Sequence, residues 1–513
     1  MQWVFKFEYG ILARAFIEGR CEMIKFGWAE TDITPKDKIA LDGEFFERAT
    51  SDVETPISVT ALAIDADGDA TVMVSCDLVE IGEDLVAAAR ARINAEGLDP
   101  KKVIISVVHT HNSYTYTRNG PFKKVKTVPL AIIKRYMPAD CEYIQQVTSG
   151  DCLDPADAFD FLADAIARTV NDAWINRREG GFARGFGRAA IGLNRRVCYS
   201  DGTAKMWGDV DTATFTELEG GNDTGIELMF TYGEGDKLTG VIANIACPAQ
   251  VLEQRSFISS DYWGKVKIML RERYGKDVYL LPLCSAAGDL CPRDLIRWVQ
   301  PETPIKDPNV IRIDPKKRDA DPSMFDIKGT WKIGRRIMTE IEMALEDVTE
   351  IKREATHSHA VSALKLPLRR VTESEKCEAE AKLAEFFKDR KTLDYNDSAA
   401  LYIYAGTLER YQVQELYNTV TAEVHSVRFD SLAFVSNPFE LFQYYGDQIR
   451  ARSAANQTFI IQLSNGSLGY LPTAKAERGG HYSAYVSSGY VGHEGGDLLV
   501  RETLDMIDGQ FGE

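Results

Sequence analysis

The chain has 513 residues, 44% of them hydrophobic and 27% charged, with 60 basic against 77 acidic residues and a net charge of −17. That balance suits a folded chain with a sizeable apolar core and excludes a disordered one. It also argues against non-specific nucleic-acid binding and adhesion to anionic membranes, since both need an excess of basic groups.

In chain order, residues 1–22 hold apolar residues broken up by Lys6, Glu8, Arg14 and Glu18. That excludes an ordinary signal peptide and a membrane anchor, which needs about 20 apolar residues. Strand-like text starts just after Met23, and Glu18-Gly19-Arg20 can be encoded by purine-rich codons like a bacterial ribosome-binding site. Met23 is therefore read as the natural start, with 1–22 a non-native or disordered extension. Ser58–Ile64, Thr71–Cys76 and Val103–Val108 are short β-branched runs, and Asp84–Asn94 between the last two has helical periodicity. Strand, helix and strand in that order predict an α/β crossover. A helix is predicted over Asp157–Trp174, then strands over Ile226–Thr231 and Gly240–Ala246. Next come a helix over Tyr262–Tyr274, a buried strand over Val278–Leu283 and a helix over Ile333–Leu345. Pro292 to Pro322 carries six prolines and many charges, the text of an extended loop or lid. Glu373–Asp389 and Ala399–Tyr417 read as a charged two-helix insert, about 373–417, before strands return at Val424–Phe429, Leu432–Ser436 and Phe459–Leu463. The whole reads as one α/β domain over 23–513, of mixed sheet and helix. Nine scattered cysteines are too few for a disulfide scaffold, so free thiols in a cytoplasmic location are expected.

Five pieces can carry chemistry. In Val107-Val108-His109-Thr110-His111-Asn112 a strand runs into two histidines, and strand positions i and i+2 share a face. Paired neutral imidazoles suit zinc or proton transfer, although a bare His-x-His is more often a pair that satisfies backbone groups. Cys247, at the end of Asn244–Ala246, is by itself most simply a small buried hydrophobe. Cys284 to Arg293 offers Asp289 and Cys291 after a buried strand, or merely a tight turn. Asn437-Pro438-Phe439-Glu440 predicts a helix start, with Asn as cap and Glu440 explained by capping alone. The Gly-rich pieces around Tyr470, Tyr482 and His493 read as loops folded over a pocket. His357-Ser358-His359 repeats the spacing of the first pair in a polar stretch, where a purely structural role is favoured.

Taken in order from Gly27-Trp28-Ala29-Glu30-Thr31-Asp32-Ile33-Thr34-Pro35 to about Ile507, these pieces resemble the neutral/alkaline ceramidases, a zinc-dependent amidase family, and in particular its shorter bacterial members. The resemblance implies a Zn2+ site of His109, Cys247, Glu440 and Tyr470, with Cys247 where the family has histidine. It implies proton transfer by His111, carbonyl polarisation by Tyr482, and an Asn-Ala-Gly-Asp-x-Ser-Pro motif matched by Ala286–Pro292, with Asp289 kept and Cys291 replacing serine. Asp77, Arg195 and Asp261 sit in family-like motifs and are taken as substrate-binding. A thiolate in place of imidazole would weaken the metal as a Lewis acid. Asn112-Ser113-Tyr114-Thr115-Tyr116 replaces the family's Gly-rich stretch and should reshape the pocket mouth. The chain has no room for the C-terminal immunoglobulin-like domain of lipid-cleaving members, so a small polar substrate is expected in place of ceramide. Two other readings stay open: a glycoside or ester hydrolase using carboxylates among Asp77, Asp261, Asp289 and Glu440, and a non-catalytic binding protein that lost its metal. Neither reading specifies an oligomeric state, and a homo-oligomer fits both.

Overall fold

The run Ser58–Ala66 is apolar at nearly every position, the pattern of a strand covered on both faces. It pairs antiparallel with Lys25–Asp32 and with Asp69–Cys76, and the latter pairs parallel with Val103–Val107. The helix Glu83–Arg92 makes that parallel step, so the predicted crossover is present. The structure is a computed structural model and describes residues 23–44, 46, 48–116, 130–143, 151–297, 326–393 and 395–512. The extension read at 1–22 and most of the Pro292–Pro322 loop fall outside those residues.

Three sheets share one core. Alternate side chains of a strand point to opposite faces. On the outer face Val59, Ala61 and Ala63 therefore meet Leu162, Ile166 and Val170 of the helix Pro155–Ile175. On the inner face Leu62 and Ile64 join Met229, Ile242 and Leu281 of the second sheet and Val427, Phe434 and Phe459 of the third. Each such fully buried side chain is worth about 1.5–3 kcal/mol. The second sheet runs Tyr279–Cys284, Leu238–Ile245, Gly225–Tyr232 and Gly181–Arg188. Its parallel pair is linked through the helix Asp261–Tyr274, and Ile333, Ile337 and Ile341 of the helix Ile327–Glu346 cover its outer side. The third sheet runs His357–Pro367, Thr419–Phe429, Leu432–Ser436 and Gln457–Ile461. The insert forms the helices Glu373–Phe387 and Tyr395–Val413, which bury Leu383, Phe387 and Leu401 against Ile132 and Ile133.

Two local expectations are overturned. Asn437-Pro438-Phe439-Glu440 starts no helix: Glu440–Leu441 is a short strand parallel to Tyr470–Leu471, and the helix begins at Gln443. Asn437 Oδ1 accepts from the Phe439 amide at 3.2 Å, a turn bond that competes with helix initiation. The Glu440 amide donates to Gly469 O at 2.9 Å, so tertiary pairing claims that backbone. Gly492–Gly496 is likewise no loop, since His493 opens the C-terminal helix His493–Phe511. Its glycines serve close packing: a Cβ on Gly496 would lie 2.3 Å from the Tyr445 ring.

The loops leaving the parallel strands are tied to one another. Asn465 N donates to Ile105 O, Ala249 N to Val108 O, Gln462 N to Cys284 O and Gly288 N to Leu441 O. Carboxyl ends of parallel strands are where α/β sheets hold ligands. No described helix is long and apolar enough to cross a membrane, and the eight described cysteines form no disulfide.

Candidate functional site

The histidine pair does not sit on a strand. Pairing stops at Val107, and His109 has a φ of +64°, in the left-handed region that side chains with a Cβ disfavour. Gln254, Asp261, Leu463, Asn465 and His481 have positive φ too, and such local strain clusters at functional sites. His109 Nδ1 donates to Val79 O at 2.6 Å, which fixes the ring and leaves Nε2 facing inward. That nitrogen lies 3.5 Å from Glu440 Oε2 and 3.3 Å from His111 Nε2, the two rings meeting edge to face. The stretch expected to reshape the pocket mouth frames this turn: Asn112 Nδ2 donates to Arg255 O and Phe257 O, Ser113 Oγ accepts from Val79 N, and Tyr114 donates to Ile33 O.

Glu440 and Tyr470 face each other as register partners, which is what the unpredicted short strand achieves. The Tyr470 hydroxyl bonds to Glu440, lies 3.2 Å from the Tyr482 hydroxyl and accepts from Arg195 Nη2 at 3.4 Å. Burial, reinforced by Glu440, pushes both tyrosine hydroxyls well up, so they hold their protons at neutral pH. Burial works against the Arg195 charge, yet the guanidinium is held above its ordinary value and stays ionised. Arg195 also reaches Gly288 O and lies over the Trp207 ring. The insert, which sequence reasoning left without a function, supplies Tyr402. This residue is buried, and its hydroxyl is pushed well up by burial and then by Tyr482 and Glu440.

The remaining candidates lie in their own networks. Asp261 takes the Leu252 amide at 2.8 Å and the Tyr262 amide at 2.7 Å, and burial raises its carboxyl to about 7. Asp289 accepts from the Gln443 amide and from Asn194 Nδ2, and burial raises it to about 6. Asp77 accepts from the backbone and hydroxyl of Ser58 and pairs with Lys267 at 3.5 Å. Cys291 pairs with Leu193 across a short ladder, and burial holds its thiol at about 12. Cys247 packs with Val108, Ala249 and Val251, and burial, then Cys291 and Cys284, push its thiol well up.

Two acidic residues escaped the sequence reading. Glu44 and Glu253 flank His111 Nδ1 at 3.3 and 3.6 Å, and the three donor atoms lie within 4.8 Å of one another, a group that can hold a metal ion. Among the described residues it is the only such group of His, Cys, Asp and Glu. The signal available was weak: Gly43 before Glu44, and Glu253 six residues after Cys247.

No family model matches the chain, and no curated protein does. Solved structures do. A neutral ceramidase from Pseudomonas aeruginosa superposes with a TM-score of 0.63 at 15% identity, over 95% of this chain and 74% of that one. The fold is that of a neutral ceramidase. A ceramidase complexed with C2 gives a TM-score of 0.64, again at 15% identity, over 94% of this chain and 75% of the other.

Three of the four donors implied for zinc suit an ion. His109 has its Nδ1 anchored on a carbonyl, the arrangement that orients metal-bound imidazoles, and Glu440 and Tyr470 stand beside its Nε2 side. Cys247 joins no three-donor group with His109 and Glu440 among the described residues, and its Sγ points to Pro248 O at 3.5 Å. The donors therefore fit a site of three protein ligands with an open position, the form catalytic zinc takes.

Proposed function

We propose that the protein is a metal-dependent hydrolase that cleaves an amide or related bond of a small polar substrate. The observation that carries this reading is the convergence of His109 Nε2, Glu440 Oε2 and the Tyr470 hydroxyl on a ceramidase fold. These three residues would hold Zn2+. When bound, such an ion supplies Lewis-acid polarisation of a carbonyl and makes water more acidic. Val79 O keeps His109 in the tautomer that binds through Nε2. Tyr482 keeps its proton and offers an O–H to developing oxyanion charge. Arg195 holds Tyr470 by donation from Nη2 and brings a fixed positive charge close to the same atoms.

Elemental analysis of the purified full chain tests the reading. Wild type should retain zinc, His109→Ala and Glu440→Gln should each lose the equivalent they share, and chelation should abolish amide hydrolysis. Hydrolysis that survives complete chelation, or wild-type zinc content in both variants, would exclude this ligand set.

A further inference from the structure

Two neighbouring arginines at the start of the strand Arg196–Tyr199 reach different parts of the site. Arg195 donates to the Tyr470 hydroxyl, whereas Arg196 turns to the segment that carries Tyr482. Arg196 is fully buried, and five acceptors surround its guanidinium. Nε donates to Glu219 Oε1 at 2.9 Å. Nη1 donates to Tyr482 O at 3.1 Å and Ser483 Oγ at 3.3 Å. Nη2 donates to Gly480 O at 3.0 Å and Ala476 O at 3.3 Å. The Glu219 side chain is only 5% exposed, so the ion pair is shielded from water. A planar fork of five donors matches this arrangement, and lysine, with three donors on one nitrogen, does not.

Tyr482 stands between two residues with left-handed backbone, His481 with a φ of +72° and Ser483 with a φ of +71°. Side chains with a Cβ disfavour that region, and such conformations persist only where the surroundings over-determine them. One ladder pair does most of this. Arg196 faces Met206 across the antiparallel strands, and the Met206 amide donates to His481 Nδ1 at 3.1 Å. Burial lowers His481 to about 4, so Nδ1 keeps the lone pair this bond needs at neutral pH. Just beyond, Arg369 Nη1 donates to Ala484 O at 2.6 Å. The backbone of Tyr482 is thus gripped from both sides, while its hydroxyl stands 3.2 Å from that of Tyr470.

We propose that Arg196 is the positioning residue for Tyr482, fixing it through the Gly480 and Tyr482 carbonyls and the Ser483 hydroxyl where its O–H can meet developing oxyanion charge. The catalytic part of this role rests on the hydrolase reading; the placement of the ring does not. In the full chain, 3-fluorotyrosine at position 482 reports that ring by fluorine NMR without substrate, and the same label at Tyr279, stacked on Trp28, is the control. Arg196→Lys should shift or broaden the resonance at 482 and leave that at 279 unchanged. In hydrolysis of 4-nitroacetanilide, Tyr482→Phe should lower kcat about 100-fold, the cost of one lost oxyanion donor. Arg196→Lys should lower kcat at least about tenfold with KM little changed, since a small misplacement can cost about 100-fold. It should add no further loss in the Tyr482→Phe background, because it acts through that hydroxyl. Circular dichroism confirms folding, and Arg196→Gln combined with Glu219→Gln, which removes both charges together, replaces Arg196→Lys if that variant does not fold. An unchanged resonance at 482, equal changes at 482 and 279, or losses of kcat that multiply in the double variant would overturn the proposal. Failure of the hydrolase reading looks different: no anilide is hydrolysed, while the resonance at 482 still answers to Arg196→Lys, which keeps the positioning role and removes only its catalytic use.

Discussion

Cys247 and Cys291 stand where the ceramidase resemblance expects a zinc histidine and a serine, so their chemistry bears on any mechanism. Both are fully buried, and thiolate, not thiol, is the nucleophile and metal ligand. With Cys291 held at about 12 and Cys247 pushed well above its ordinary value, both are neutral at pH 7. Iodoacetamide at pH 7 should therefore label exposed Cys377 in the native protein and leave Cys247 and Cys291 unmodified until urea unfolds the chain, as read by peptide mass spectrometry. Native labelling of Cys291 at the rate of Cys377 would instead show a reactive thiolate there. At Cys247 the packing against Val108 and Val251 accounts for the residue without chemistry.

Short elements carry this site more than long ones. The strand Glu440–Leu441 is two residues long, yet its pairing with Tyr470–Leu471 sets Glu440 beside the tyrosine. The next element, the helix Gln443–Arg452, starts on Phe442, which gives no side-chain cap. Asp289 fills that place from another loop, taking the Gln443 amide on one oxygen and Asn194 on the other. Asp289→Ala strands both donors, and each buried unsatisfied group costs about 1–3 kcal/mol. Urea unfolding should show a loss of about 2–4 kcal/mol, with Asp289→Asn less affected because its amide oxygen still accepts. Equal stability of Asp289→Ala and wild type would remove the anchoring role and return Asp289 to the catalytic candidates.

Across the molecule, a buried histidine chain joins the first sheet to the third. Thr71 Oγ1 bonds to His357 and to His359, His359 to His425, and His425 to Glu423 and Asn465. Burial, then neighbouring His425 and His357, lower His359 from 6.5 to about 2. In the unfolded chain this histidine takes up a proton below about 6.5, and in the folded protein it does not until about 2. Its share of stability is thus present above about pH 6.5 and is lost as pH falls through that window. Buried Asp261, raised to about 7, acts with the opposite sign, so the prediction is a difference between proteins. The stability gap between wild type and His359→Gln, from urea melts at pH 7.5 and pH 5, should narrow at the lower pH. A gap independent of pH would mean that His359 titrates in the fold as it does in the unfolded chain.

The sequence by itself determined the long elements, because continuous apolar runs such as Ser58–Ala66 and helical spacing such as Pro155–Ile175 state locally how they must be buried. It also picked out His109, Glu440, Tyr470 and Tyr482 as a group, through a resemblance carried by motif order. It misread Asn437–Glu440, whose local cap preference lost to pairing with a strand some thirty positions away, and Gly492–Gly496, which opens a helix where Gly496 makes room for the Tyr445 ring. Only the tertiary structure decided that Cys247 stays in the core and that Glu44 and Glu253 close on His111. Such meetings depend on distances between separate loops, set by the packing of three sheets and by a left-handed turn at His109, and no local pattern of residues encodes them.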